Sequence, residues 1–248
     1  MKRIPPFIIF ILLVLGMSLF PYIPIELFHI NIQNFSQSML IAYSFCTDIG
    51  FMIIVFFMYK DKLIKEFKEY FSNFIKNFRS TFGYYIIGFI LMVLFNSIIN
   101  NFLGGNGANN ETMIRSLIHK YPLYMLFSVA IYAPFIEEII FRRSIKDIIK
   151  SFGNNKITKY TYIIISGLIF AAMHVIGTAS STTDYLYIIP YMSLGIVFAY
   201  IYDKTDNLFS TIVLHSFHNT MAVILYFIVR LVWAKYLNGF LWFLYLFS

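Results

Sequence analysis

Apolar runs of about twenty residues recur along this sequence, and one helical crossing of a bilayer needs a run of about that length. The chain has 248 residues, of which 59% are hydrophobic, 20% aromatic and only 12% charged. A soluble domain carries about 25% charged residues. The mean hydropathy of +0.73 agrees with a membrane chain. The predicted fold is therefore all-α, a polytopic transmembrane helix bundle of seven to eight spans forming a single integral membrane domain over 1–248. Short loops leave no room for a sizeable soluble domain.

Met1-Lys2-Arg3 leads into an apolar run to Phe20. The following Phe20-Pro21-Tyr22-Ile23-Pro24 has no small-x-small cleavage pattern, so the run reads as an uncleaved first helix. Span two is expected over Ser38 to Tyr59 and contains Asp48, for which the sequence suggests no role. Lys60 to Arg79 is basic with apolar residues at helical spacing (Leu63, Ile64, Phe67, Phe71, Phe74, Ile75), which predicts an amphipathic helix along the membrane surface. Span three follows over Tyr84 to Ile99, then a Gly/Asn-rich loop at Leu103 to Asn110. Span four starts at Pro122; spans five, six and seven are expected over Tyr160–Ile176, Tyr185–Tyr202 and Leu208–Val229. Leu231 to Phe247, interrupted by Lys235 and Gly239, is a weaker eighth candidate.

The formal net charge of +7 points to lipid and not to nucleic acid. With the N-terminus cytoplasmic, Lys2, Arg3, the six Lys and Arg of 60–79, the six of 142–159 and Lys204 all fall inside; only Arg115, Lys120, Arg230 and Lys235 fall outside. That asymmetry sets the orientation and places the basic segments against anionic headgroups of the bilayer. The lone Cys46 rules out an intrachain disulfide and a Cys-rich metal site, and its apolar setting predicts buried packing. No oligomeric state follows from the sequence.

Within span four lies Ala133-Pro134-Phe135-Ile136-Glu137-Glu138-Ile139-Ile140-Phe141-Arg142-Arg143. One ionised group at membrane depth costs about 3 kcal/mol on insertion scales, and such groups mark functional sites. Glu138 and Arg142 stand at i and i+4 with the acid first, the favoured order for a helical ion pair. Glu137 is rotated about 100° away. The spacing makes Glu138 a structural anion and leaves Glu137 able to take a proton as a general base. Span five carries Phe170 and His174 one turn apart; span seven carries His215 and Asn219 at i and i+4, with His218 close to their face. For these groups to meet at one depth, helix four must run on past Arg143, with Ser144 to Lys150 as its end and Arg142 buried.

Glu137-Glu138-x-x-x-Arg142, Phe170-x-x-x-His174 and His215-x-x-x-Asn219, in this order on separate spans, resemble the CPBP family (CAAX proteases and bacteriocin-processing enzymes, also called Abi), which includes the type II CAAX prenyl endopeptidases. The resemblance covers about 121–230. It implies a membrane-embedded endopeptidase with its active site inside the bundle. Glu137 would activate water, His174 would position or polarise it, and His215 and Asn219 would face the developing oxyanion. Glu138 and Arg142 would be supporting residues, and Phe170 would set the His174 ring. The expected substrate is a membrane-associated peptide or protein, such as a pheromone or bacteriocin precursor.

Two histidines and a glutamate (Glu137, His174, His215) could also bind zinc in an open catalytic site. The resemblance to the prenyl endopeptidases favours a route with no cofactor. There is no His-Glu-x-x-His, Gly-x-Ser-Gly or Gly-x-Gly-Asp, the signatures of zinc, rhomboid-type and aspartyl intramembrane proteases. Two other readings remain at this stage: an immunity or regulatory binding protein on the same scaffold, and a transporter, which lacks the expected repeat symmetry between halves.

Overall fold

The computed structural model describes residues 4–104 and 107–245, with side chains as far as residue 232. Among the described residues the chain is helical with no strand. The first helix, α1 (Pro6–Leu19), has proline at its first turn, where a missing N–H costs nothing. A short α2 (Tyr22–Leu27) and a 3-10 turn (Ile32–Asn34) lead to α3 (Gln37–Ser72), which Ser36 caps through its hydroxyl. Then come α4 (Phe74–Phe102), the polar α5 (Asn109–Lys120), α6 (Pro122–Lys150), α7 (Lys156–Val175), α8 (Thr182–Thr205) and α9 (Phe209–Tyr245).

Six of these helices are long and apolar enough to cross a membrane, and the chain is an integral membrane protein. The sequence predicts seven to eight spans, and beside these six stands α1, a seventh and shorter apolar helix. With 14 residues α1 is apolar but short, about 21 Å against a hydrocarbon core of about 30 Å. The eighth candidate, Leu231 to Phe247, is not a separate span. Helix α9 continues without a turn to Tyr245, and residues 246–248 lie outside the described residues.

Two further expectations are corrected. The basic stretch Lys60 to Arg79 is not a surface helix of its own. Its first part extends α3, which breaks at Asn73, and its second part begins α4. The break is stabilised by Asn77, whose side-chain amide donates to the carbonyls of Glu69 (3.3 Å) and Tyr70 (2.8 Å). Cys46 is exposed on the outer face of α3 and not buried.

Helix α6 sits in the middle, packed against α1, α3, α7, α8 and α9. Every residue from Glu138 to Lys146 is buried, more than one face of a regular helix could bury against one neighbour. Its Ile136, Ile139, Ile140, Phe141 and Ile145 share a core with Leu13, Phe51, Val55, Phe170, Ala199 and Ile212. Helices α7 and α8 pack most tightly at Gly167 and Gly195: a Cβ on Gly167 would lie 2.8 Å from the backbone nitrogen of Ile196. Large apolar side chains such as Phe57, Ile90, Ile164 and Leu225 point outward, as lipid requires.

The end of the bundle that carries Arg143 is closed by ions. Arg143 donates to both carboxylate oxygens of Glu66 on α3 and to the Tyr202 hydroxyl on α8 (3.3 Å). Glu66 also accepts from the backbone N–H of Leu208 (3.0 Å), where α9 begins. Lys146 reaches Asp206 (2.9 Å) in the α8–α9 turn. Burial alone would raise the Asp206 carboxyl, but the hydrogen bond and charge of Lys146 hold it below the ordinary carboxylate range. In that turn Asp206 adopts left-handed backbone (φ 47°), a conformation that aspartate tolerates better than most residues.

Candidate active site

Two stretches of α6 are wound as π turns, Ser128–Tyr132 and Ile139–Ser144, one on each side of the glutamates. A π turn bonds each N–H five residues back and often marks a functional site. Side chains satisfy carbonyls in both turns. Ser144 Oγ donates to Ile139 O (3.1 Å), Ser166 Oγ to Phe141 O (2.7 Å), and Asn219 Nδ2 to Val129 O (2.6 Å).

Glu138 is fully buried and fully engaged. Arg142, likewise 0% exposed, donates to it from Nε (3.0 Å) and Nη2 (3.3 Å). His215 Nδ1 bonds the same carboxylate at 2.9 Å. The guanidinium lies over the rings of Phe170 and Phe198, 4.7 and 5.7 Å from their centroids, and donates to Ser166 Oγ (3.2 Å).

Glu137 differs. Its side chain keeps 15% of its exposure, and its Oε2 is buried with no hydrogen-bond partner. That oxygen lies 3.7 Å from His174 Nε2 and 3.9 Å from His215 Nε2. The outer nitrogen of each ring is committed elsewhere, and this sets which nitrogen faces Glu137. His174 Nδ1 meets the carbonyl of Phe170 at 2.8 Å, so Nδ1 carries the hydrogen. His215 Nδ1 faces the Glu138 carboxylate and carries a hydrogen for the same reason. In the neutral rings both Nε2 atoms therefore present lone pairs toward Glu137.

The structure thus brings together Glu137, Glu138, Arg142, Phe170, His174 and His215 from α6, α7 and α9. It does not bring Asn219 onto the Glu137 carboxylate, since the amide is bonded to Val129. His218, off the motif, turns away to the Tyr85 hydroxyl (3.2 Å). Asp48 accepts from Tyr124 (3.0 Å) and so joins α3 to the start of α6.

Three residues escaped the sequence reading. Tyr191 of α8 stacks on His174 with ring centres 4.9 Å apart, opposite Phe170 at 4.3 Å, and its hydroxyl accepts from Asn110 (3.3 Å). Phe198 stacks on His215 at 5.4 Å. Ser166 bridges Arg142 to the α6 backbone. None stands in a charged or histidine-bearing motif; Tyr191 and Phe198 are aromatics among many, and only a contact could single them out.

The family model described as type II CAAX prenyl endopeptidase Rce1-like matches residues 119–221. All of the residues that converge on Glu137 lie inside that range. Residues 119–221 therefore resemble the Rce1-like family. The membrane-embedded CAAX protease MroQ of Staphylococcus aureus (strain USA300) is 28% identical over 147 residues, 56% of this chain and 56% of its own length. The putative membrane peptidase YdiL of Bacillus subtilis (strain 168) is 30% identical over 123 residues, 49% of this chain and 44% of its own length. The chain therefore spans about half the length of the curated relatives it matches. No solved structure matches it.

The donor set can be compared directly with what zinc requires. Bonds of about 2.0–2.1 Å in a tetrahedral set bring neighbouring ligand atoms to about 3.3 Å. The Glu137 oxygen stands 3.7 and 3.9 Å from the two imidazole nitrogens. Among the described residues no group of three or more His, Cys, Asp or Glu is arranged to hold a metal ion. As arranged, the set does not close around zinc.

Proposed function

We propose that this chain is an intramembrane endopeptidase that hydrolyses a peptide bond with water activated by Glu137, in a cell membrane with the N-terminus cytoplasmic. The observation that carries the reading is the buried, unbonded Glu137 Oε2 faced by two imidazole Nε2 atoms at 3.7 and 3.9 Å. Those separations are too long for direct hydrogen bonds but suit a shared water. Such a water would donate one hydrogen to Glu137 and the other to an imidazole.

The chemistry then balances without a covalent intermediate. Water oxygen bonds to the peptide carbon as its proton passes to Glu137, and the carbonyl oxygen becomes an oxyanion. The C–N bond breaks as Glu137 returns that proton to the departing amine. Glu138 and Arg142 take no proton in this scheme. They fix the His215 ring, which faces the developing oxyanion. His174 orients the water. The family resemblance supports a membrane-associated peptide or protein as substrate, and a bacteriocin or pheromone precursor would fit.

The test compares wild-type and Glu137→Gln protein by peptidomics of membranes that contain each. The expected outcome is loss of cleaved peptides in Glu137→Gln with folding and abundance intact. Unchanged cleavage would overturn the mechanism, and an unchanged biological effect without cleavage would favour the binding reading. Cleavage in a strong chelator is expected to continue; loss that zinc restores would move Glu137, His174 and His215 to metal ligands.

A further inference from the structure

The first π turn of α6 contains a donor deficit that the sequence itself creates. Ala133 N–H reaches five residues back to Ser128 O. The corresponding donor for Val129 O would be the N–H of residue 134. Residue 134 is proline, which has none. A helix carbonyl left without a donor at membrane depth is costly, and neighbouring helices commonly supply the missing partner. Asn219 of α9 supplies it here, with Nδ2 2.6 Å from Val129 O.

We infer that Asn219 is a positioning residue: its amide replaces the N–H that Pro134 lacks, and so fixes the π turn that aims Glu137 at His215. This deepens the proposed function and rests on it. Glu137 stands three positions after Pro134, and Asn219 stands one turn beyond His215 on the same face of α9. One hydrogen bond therefore ties the helix carrying the base to the helix carrying its imidazole partner, two turns from the base itself. The role differs from that of a donor at the oxyanion, because the bond is made to the protein's own backbone.

Pro134→Ala separates the two roles, since it returns an N–H to residue 134. The experiment is a cycle of Asn219→Ala, Pro134→Ala and the double variant in the full chain, read by peptide cleavage and by thermal unfolding in detergent. Asn219→Ala is expected to lower cleavage about a hundredfold through misplacement of Glu137 and to lower Tm by about 5 °C. In the Pro134→Ala background the same change should cost little in either readout. If the double variant is as inactive as Asn219→Ala and Tm never moves, Asn219 acts on the substrate and the inference is wrong.

Asn219→Leu provides a second route if Pro134→Ala does not fold, since it keeps the branched shape and removes the donor. It should lower Tm as Asn219→Ala does, and an unchanged Tm would overturn the inference. The two ideas fail separately. A wild-type protein with no peptidase activity ends the proposed function, while the Tm cycle still decides the bond to Val129.

Discussion

Adjacent carboxylates at one depth have opposite surroundings. Glu138 is held by two donors from Arg142 and one from His215, whereas Glu137 Oε2 has none. A side chain bonded on every side is poorly suited to accept a proton from water, and one bonded on none is well suited. Glu138 also has a stability role, because Arg142 is buried around it. Glu138→Ala would leave a guanidinium 0% exposed without its carboxylate, and breaking a buried pair in this way costs about 3–5 kcal/mol. The expected result is a large fall in Tm in detergent, and Glu138→Ala is expected to be less stable than Glu137→Ala. Equal stability of the two would contradict the division drawn between them.

At the scale of the helix, much was legible. The i, i+4 pairing of Glu138 with Arg142 could be read from spacing. So could the need for α6 to continue beyond Arg143, because His174 and His215 lie deep in their own spans. The helix does continue, to Lys150, and Arg142 is buried. The π turns could not be read, since no residue pattern separates them from an α-helix. Nor could the clamp at Glu66, a glutamate in a stretch of lysines whose partner Arg143 lies 77 positions away. Hydropathy placed a boundary at Tyr59 that the helix ignores, because polarity changes there and helical hydrogen bonding does not. The close crossing of α7 and α8 gives a test at this scale. Gly167→Val would set a branched side chain against Ile196 backbone, forcing apart the helices that carry His174 and Tyr191. Such overpacking costs about 1–3 kcal/mol; cleavage by the purified variant is expected to fall more than its Tm suggests.

For the whole molecule, the charge asymmetry and the fold make one joint statement. Lys60–Arg79 and Arg142–Lys159, the most basic segments, converge at one end of the bundle, where Glu66, Asp203 and Asp206 neutralise only part of them. The opposite end holds the Asn109 network, in which one amide bonds Thr178 O, Ser180 Oγ and Asp184 Oδ2. Single-cysteine variants at Asn154 and Ala179, in a Cys46→Ser background, should report the orientation. A membrane-impermeant thiol reagent added to intact cells is expected to label residue 179 and spare residue 154. The reverse pattern would invert the topology.

A π turn holds one residue more than the α turn it replaces. Helix α6 carries one such surplus before the Glu137-Glu138 pair and one after it. Each surplus is equivalent to a one-residue insertion absorbed inside a helix, where a gap is not ordinarily expected. Relatives that wind this helix without the bulge would align with a single-position gap near 128–132 or 139–144, and an ungapped alignment would set every residue beyond it on the wrong face by about 100°. The two glutamates stay in register between the bulges, and single-residue length changes on either side therefore record how the bundle is wound around them.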